Sequence, residues 1–177
     1  VLPNVNALGK TQLGLDDGPT SILSACMGIG IAAGCMLGGY LSRGRVNRKV
    51  VITGVIGAMI SLILMAIPGN HNGQFLGFYG SIPVLVLVGL FSGMFIVPVQ
   101  VTLQSRPPRE EKGRMIATMN QFSWIGVILS AVVWEVCLRV LKVTGWPLSS
   151  VFAVTAALLL PVALFYRPQD ERLAGSA

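Results

Sequence analysis

The chain has 177 residues, of which 53% are hydrophobic and only 11% are charged, and its mean hydropathy is +0.73. Soluble domains carry roughly 25% charged residues, so this composition excludes an ordinary soluble domain and favours a protein that spans a membrane. The net charge is +6, but the basic residues flank apolar runs without an aromatic platform beside them, which argues against a nucleic-acid partner.

The chain starts with a polar segment, residues 1–19, that contains Lys10 and Asp17. We expect an external loop or the end of a preceding helix. No basic segment followed by a short apolar core is present, so a secretory signal peptide is not predicted. Because the first residue is Val1 rather than Met, we expect the chain to be part of a longer gene product.

Five apolar runs follow, at about residues 21–41, 50–67, 82–103, 115–138 and 146–166. Each is close to the roughly 20 residues that a transmembrane helix needs, whereas barrel strands would alternate in polarity and be about half as long. The sequence therefore predicts an all-α, polytopic transmembrane helix bundle over residues 20–166, followed by a polar tail over residues 167–177.

The basic residues are concentrated in every second loop. Ten of the thirteen Lys and Arg residues fall in the loop after the first run, the loop after the third run and the C-terminal tail. The loop after the second run has none. Because Lys and Arg accumulate in cytoplasmic loops, this pattern places these two loops and the tail in the cytoplasm, and residues 1–19 outside.

The apolar runs differ in polarity. The second and fifth are nearly pure Val, Ile, Leu, Ala and Met, so they can face lipid all round. The first, third and fourth carry glycines and polar residues, so they are expected to face protein or a cavity. In the first run, Gly30, Gly34 and Gly38 share one helix face, which favours close packing against another helix and also makes a candidate sliding surface.

The third run contains Pro98, which removes a backbone hydrogen bond within the helix and marks a candidate hinge. Gln100 follows, and Asn120, Gln121 and Trp124 lie near the cytoplasmic end of the fourth run. Amides in hydrocarbon need a partner or water, so these residues are candidates for lining a substrate cavity. Hydrogen bonding between helices is the alternative.

Glu135 is an acidic residue within the fourth run, with Arg139 four positions later. Its distance from the cytoplasmic end places it at the outer interface, where the i, i+4 spacing predicts an exposed ion pair. A carboxylate that couples transport to protons is the alternative.

The sequence predicts no metal, cofactor or enzyme site. Cys26, Cys35 and Cys137 form no CxxC pair and are expected to pack as small apolar side chains. A structural zinc site needs about four close ligands, and His71 is the sole histidine. A His-x4-Asp acyltransferase pair is also missing, because Leu76 stands five residues after His71.

The loop after the first run resembles the signature loop of the major facilitator superfamily, and its sequence is Gly39-Tyr40-Leu41-Ser42-Arg43-Gly44-Arg45-Val46-Asn47-Arg48-Lys49. Gly39, Leu41 and the cluster of Arg43, Arg45 and Arg48 match the signature. Its acidic residue is missing here. The resemblance implies a cytoplasmic gating loop. The distribution of Lys and Arg places the second basic loop, with Arg106 and Arg114, on the same side.

Residues 98–120 carry a more distinctive pattern. Pro98 is followed by a Gln-x-Arg-x-Pro loop, then by Gly113-Arg114-Met115-Ile116-Ala117 and Asn120. The segment is similar to bacterial lysophospholipid transporters, including the transporter domain fused to acyltransferase and acyl-carrier-protein synthetase modules. The resemblance covers roughly residues 20–165 and implies helices eight to twelve of the transporter fold, with a stub of helix seven.

The resemblance implies transport by alternating access in a bacterial inner membrane, with a lysophospholipid or another small molecule as cargo. The implied partners are the lipid bilayer and a missing N-terminal half of the same transporter. The cytoplasmic arginines would hold a head-group phosphate or anionic lipid, or would serve only to orient the chain. The alternatives are the membrane part of a bifunctional acyltransferase and acyl-ACP synthetase, and a membrane scaffold without transport.

Overall fold

The computed structural model describes residues 2–42, 48–67, 76–105 and 110–165, and these residues contain helices and no strand. A short helix and a π-helical turn precede five long helices: α1 (Leu2–Ala7), the π turn (Leu8–Gln12), α2 (Asp17–Ser42), α3 (Arg48–Ala66), α4 (Gly77–Ser105), α5 (Lys112–Thr144) and α6 (Ser150–Phe165). Helices α2 to α5 are long and apolar enough to cross a membrane, and α6 is a shorter apolar helix. The predicted all-α transmembrane bundle is confirmed.

Several helices extend beyond the apolar runs that predict them. α5 has 33 residues, which corresponds to a length of roughly 50 Å at about 1.5 Å per residue. The helix ends at Gly145, whose φ of 69° is left-handed and whose N–H donates to the carbonyl oxygen of Leu141 at 2.9 Å. Glycine adopts this conformation without a Cβ penalty, which is why the helix ends there.

α4 occupies the centre of the packed part of the molecule. α2 packs along one side of it, α3 packs along another, and α6 packs on α3. The core contains buried side chains from every helix except α5: Val5, Leu8, Leu23, Met27, Leu62, Met65, Val84, Leu85, Val88, Phe152 and Ala156. Their common burial holds α1, α2, α3, α4 and α6 together as one packed unit.

The second and fifth apolar runs do not face lipid all round, although their composition would allow it. α3 buries eight residues, and α6 buries Phe152 and Ala156 in the core. At Gly54 and Gly57, a Cβ would meet Phe91 of α4 within 3 Å, so these glycines leave room for that residue. A uniformly apolar helix shows no contrast between its faces, and its packing side is therefore invisible in hydropathy.

α5 differs from the other long helices in its exposure. Its polar residues predict a helix that faces protein or a cavity, and it has no buried residue within the described part of the chain. An exposed helix can border a cavity, so this expectation stays a prediction. Large apolar side chains are exposed along it, including Phe122, Ile125 and Ile128. The sides of α5 are therefore available to lipid, to cargo or to protein segments outside the described residues.

Candidate functional site

The glycine face of α2 lies directly against the backbone of α4. A Cβ on Gly30 would clash with the carbonyl oxygen of Val86, and one on Gly34 would clash with that of Leu90. A Cβ on Gly38 would come within 3.1 Å of the Cα of Met94. Only glycine allows two helix backbones to approach this closely, which is the packing role predicted for the three residues.

α4 contributes glycines to the same interface. A Cβ on Gly93 would lie 2.5 Å from the carbonyl oxygen of Ile31, and one on Gly89 would clash with that of Met27. Glycines of both helices thus line one interface in which the two backbones are in close contact. That this interface also serves as a sliding surface stays a prediction. Gly39 lies outside it, since a Cβ added there would meet no neighbour within 4 Å.

The candidate cavity residues lie near the loop that joins α4 to α5. Gln100 is exposed five residues before the end of α4, and Asn120, Gln121 and Trp124 are exposed in the first half of α5. At about 1.5 Å per residue, Gln100 lies roughly 8 Å and Asn120 roughly 12 Å from the adjoining helix end. Gln100 and the three α5 residues thus lie at similar distances from the α4–α5 loop, and no hydrogen bond joins Gln100 to them.

Pro98 lies inside α4 and is buried. The helix continues through it and through Pro83, from Gly77 to Ser105. Interior prolines leave a carbonyl one turn earlier without its usual helical donor, which is the physical basis of the predicted hinge.

The described basic residues of the two loops are at the surface. Arg48 is exposed at the start of α3, and Arg114 forms an ion pair of 3.3 Å with Glu111 in the first turn of α5. Arg43, Arg45 and Arg106 lie outside the described residues. The pair at Arg114 is highly exposed, so it contributes little to stability and leaves the guanidinium accessible to a phosphate.

Charged residues also pair at the opposite end of the bundle. The Nε of Arg139 donates to Glu135 Oε1 at 3.2 Å, which confirms the predicted i, i+4 pair. Lys10 pairs with Asp17 across the turn between the π-helical segment and α2. Further along α2, the hydroxyl of Ser24 donates to the side-chain oxygen of Asn6. These contacts tie α1 to the start of α2.

An apolar groove of about 450 Å³ separates α5 from α6. The α5 wall includes Val127, Ala131 and Trp134, and the α6 wall is formed by Val151, Val154, Thr155 and Leu158. Helical spacing places Val127, Ala131 and Trp134 on the same side of α5 as Asn120 and Trp124. The α6 wall is not identified by the sequence analysis. α6 is apolar on nearly every face, so no contrast in hydropathy marks these four residues in the sequence.

The structure offers no set of residues to assign to a metal. Within the described ranges, no three His, Cys, Asp or Glu side chains come together. The arrangement instead provides exposed amides and an indole near one membrane surface, an apolar groove toward the other, and basic side chains at the helix ends. These groups suit the binding of an amphipathic molecule by hydrogen bonds and apolar contact.

The fold and the length of the helices define a multi-pass membrane protein. The sequence model of the Major Facilitator Superfamily matches residues 11–176. The chain therefore belongs to the Major Facilitator Superfamily, and it is a transporter of that type. A search of curated proteins and a search of solved structures each returned no match.

Proposed function

We propose that this chain forms the C-terminal half of a transporter that moves lysophospholipids across a bacterial inner membrane by alternating access. The family match over residues 11–176 supports the transporter class. The similarity of residues 98–120 to lysophospholipid transporters supports the cargo. In this arrangement the tail after α6 and the two basic loops face the cytoplasm, as the distribution of Lys and Arg favours.

The observation that carries the proposal is the exposure of Asn120 on α5, a helix long and apolar enough to cross a membrane. An amide in hydrocarbon is costly unless it meets a polar partner or water. No such partner for its side chain is found within the described chain, so water, cargo or another part of the transporter must supply one. Trp124 lies one turn further along and is 63% exposed, so it can add apolar contact and an indole N–H donor.

The basic residues give the proposed cargo a place for its phosphate. Arg48 and Arg114 begin α3 and α5 at the same end of the bundle, and both are exposed. Guanidinium groups bind phosphate through paired hydrogen bonds. A lysophospholipid whose head group reaches this end would leave its single chain among the apolar faces of the helices.

The test is uptake of a fluorescent lysophosphatidylethanolamine by cells that produce the full-length protein. Asn120→Leu is expected to reduce uptake at least tenfold without loss of membrane insertion, because one amide–cargo hydrogen bond in a dry site is worth about 1.5 kcal/mol or more. Phe122→Leu is the matched control, since Phe122 is exposed on the opposite side of α5. Normal uptake by Asn120→Leu would remove this residue from the site, and absence of uptake by the wild type would exclude the cargo.

A further inference from the structure

The groove between α5 and α6 has the length of one membrane leaflet. Its α5 wall extends from Gly126 to Cys137, a rise of roughly 17 Å at about 1.5 Å per residue. A bilayer core is about 30 Å thick, so each leaflet contributes about 15 Å. The groove therefore lies within the leaflet on the side of the α5–α6 connection.

The two hydroxyl groups that line the groove already have hydrogen-bond partners within their own helices. Ser130 Oγ donates to the carbonyl oxygen of Val127 at 2.7 Å, and Thr155 Oγ1 donates to that of Val151 at 2.9 Å. The remaining described lining is apolar apart from the indole N–H of Trp134. An occupant that fits this surface is hydrocarbon, because a polar molecule would lose its hydration without gaining hydrogen bonds.

The groove offers a cavity volume of about 450 Å³, which leaves room for an extended acyl chain.

A charged pair stands beside the end of the groove nearest the connection. Glu135 and Arg139 border a shallower depression on α5 that shares Val127 and Ala131 with the groove. Their side chains are 58% and 78% exposed. Together they present one anion and one cation at the height where a lipid head group lies. A zwitterionic head group complements such a pair, since its phosphate faces the guanidinium and its ammonium faces the carboxylate.

We propose that the α5–α6 groove binds one acyl chain of a zwitterionic glycerophospholipid from the adjacent leaflet, with its head group on Glu135 and Arg139. The bound lipid fills the space between α5 and α6 and covers part of a helix that has no buried residue of its own. This site requires only that the chain spans a membrane, and it is independent of the cargo proposed above.

The test uses the full-length protein in lipid nanodiscs that contain a phosphatidylethanolamine with a photoactivatable diazirine in its acyl chain. After illumination, mass spectrometry locates the labelled residues. We expect labels to concentrate between residues 126 and 137 and between residues 151 and 158. Unlabelled phosphatidylethanolamine should compete more strongly than anionic phosphatidylglycerol, because the charged pair is net neutral.

Two variants and a control make the test specific. Ala131→Phe fills the groove and should lower labelling there at least threefold, whereas Ile125→Phe adds a ring on an exposed position outside the lining and should not. Arg139→Gln should abolish the preference for the zwitterionic competitor without affecting folding. Labels spread evenly around α5 would show bulk lipid contact only, and a groove without labels would show that protein covers it. Either result would overturn the proposal, whether or not lysophospholipid is transported.

Discussion

At Gly34 the backbones of α2 and α4 lie so close that a Cβ would overlap the carbonyl oxygen of Leu90. We predict that Gly34→Ala forces the two helices apart and destabilises the protein by about 1–3 kcal/mol, the usual range for overpacking. The melting temperature of the full-length protein in detergent, followed by fluorescence-detected size exclusion, should fall by several degrees.

Gly28→Ala is the matched control for this substitution. Gly28 lies on the same helix, is exposed, and has no neighbour within 4 Å of the added methyl group. Alanine is also the better helix former, by roughly 1 kcal/mol in water. Equal melting temperatures for the two variants would mean that α2 and α4 are further apart in the protein than these close glycine contacts indicate.

Sequence spacing predicts contacts between single residues when both partners belong to one helix. The pair of Glu135 and Arg139 follows from i, i+4 geometry, and its atoms are 3.2 Å apart. Spacing also places Gly30, Gly34 and Gly38 on one face, but it does not name the partner. Gly89 and Gly93 of α4 face these glycines in the structure. This pairing depends on how two segments distant in sequence pack together, which no local pattern encodes.

Among the described helices, α4 packs against α2 on one side and α3 on another, whereas α5 has no buried residue. Breaking backbone hydrogen bonds in the middle of α4, around Val88 and Met94, requires the separation of both interfaces. We predict that hydrogen–deuterium exchange of the full-length protein in detergent is at least tenfold slower there than around Phe122 in α5, because local opening is easier where little is buried.

Other segments of the transporter could make α5 exchange as slowly as α4 only by packing on α5. Equal protection of the two helices would contradict the prediction and would show that α5 is covered by residues outside the described ranges. Exchange in the α5 turn next to Gly145 serves as an internal reference, since exposed helix ends open readily in either case.

The existence of the helices could be predicted from apolar length, but their neighbours could not. Four runs predict the positions of α2 to α5 because a spanning segment must satisfy its backbone internally and face hydrocarbon. Lipid and protein interior are similarly apolar, however, so hydropathy does not show that α3 packs through Gly54 onto Phe91. For the same reason, the apolar residues of α6 do not reveal which of them line the groove.

At the scale of the whole molecule, polar groups are divided between the two ends of the bundle. The amides of Gln100 and Asn120 lie toward the α4–α5 loop, whereas Glu135 and Arg139 lie toward the α5–α6 connection. The apolar groove occupies the depth between these layers on α5. An amphipathic molecule that lies along α5 would thus meet a polar layer near either end of the bundle and apolar side chains between them.

The orientation of the whole chain is open to a direct test, because its Lys and Arg residues are so unevenly distributed. In a background with Cys26, Cys35 and Cys137 replaced by alanine, we predict that Asn72→Cys reacts with an impermeant maleimide on intact cells. Glu110→Cys should react only after the membrane is opened, since its loop carries Arg106, Arg109 and Arg114 and basic loops stay in the cytoplasm. Labelling should differ at least tenfold between the two conditions.

The reverse labelling pattern would mean that the bundle is inverted and would place the proposed head-group pair, Glu135 and Arg139, at the cytoplasmic surface. The 29 residues of α4 are long enough to cross the membrane once between the two positions. Labelling of both positions from outside would instead show that the segment between them does not cross the membrane an odd number of times.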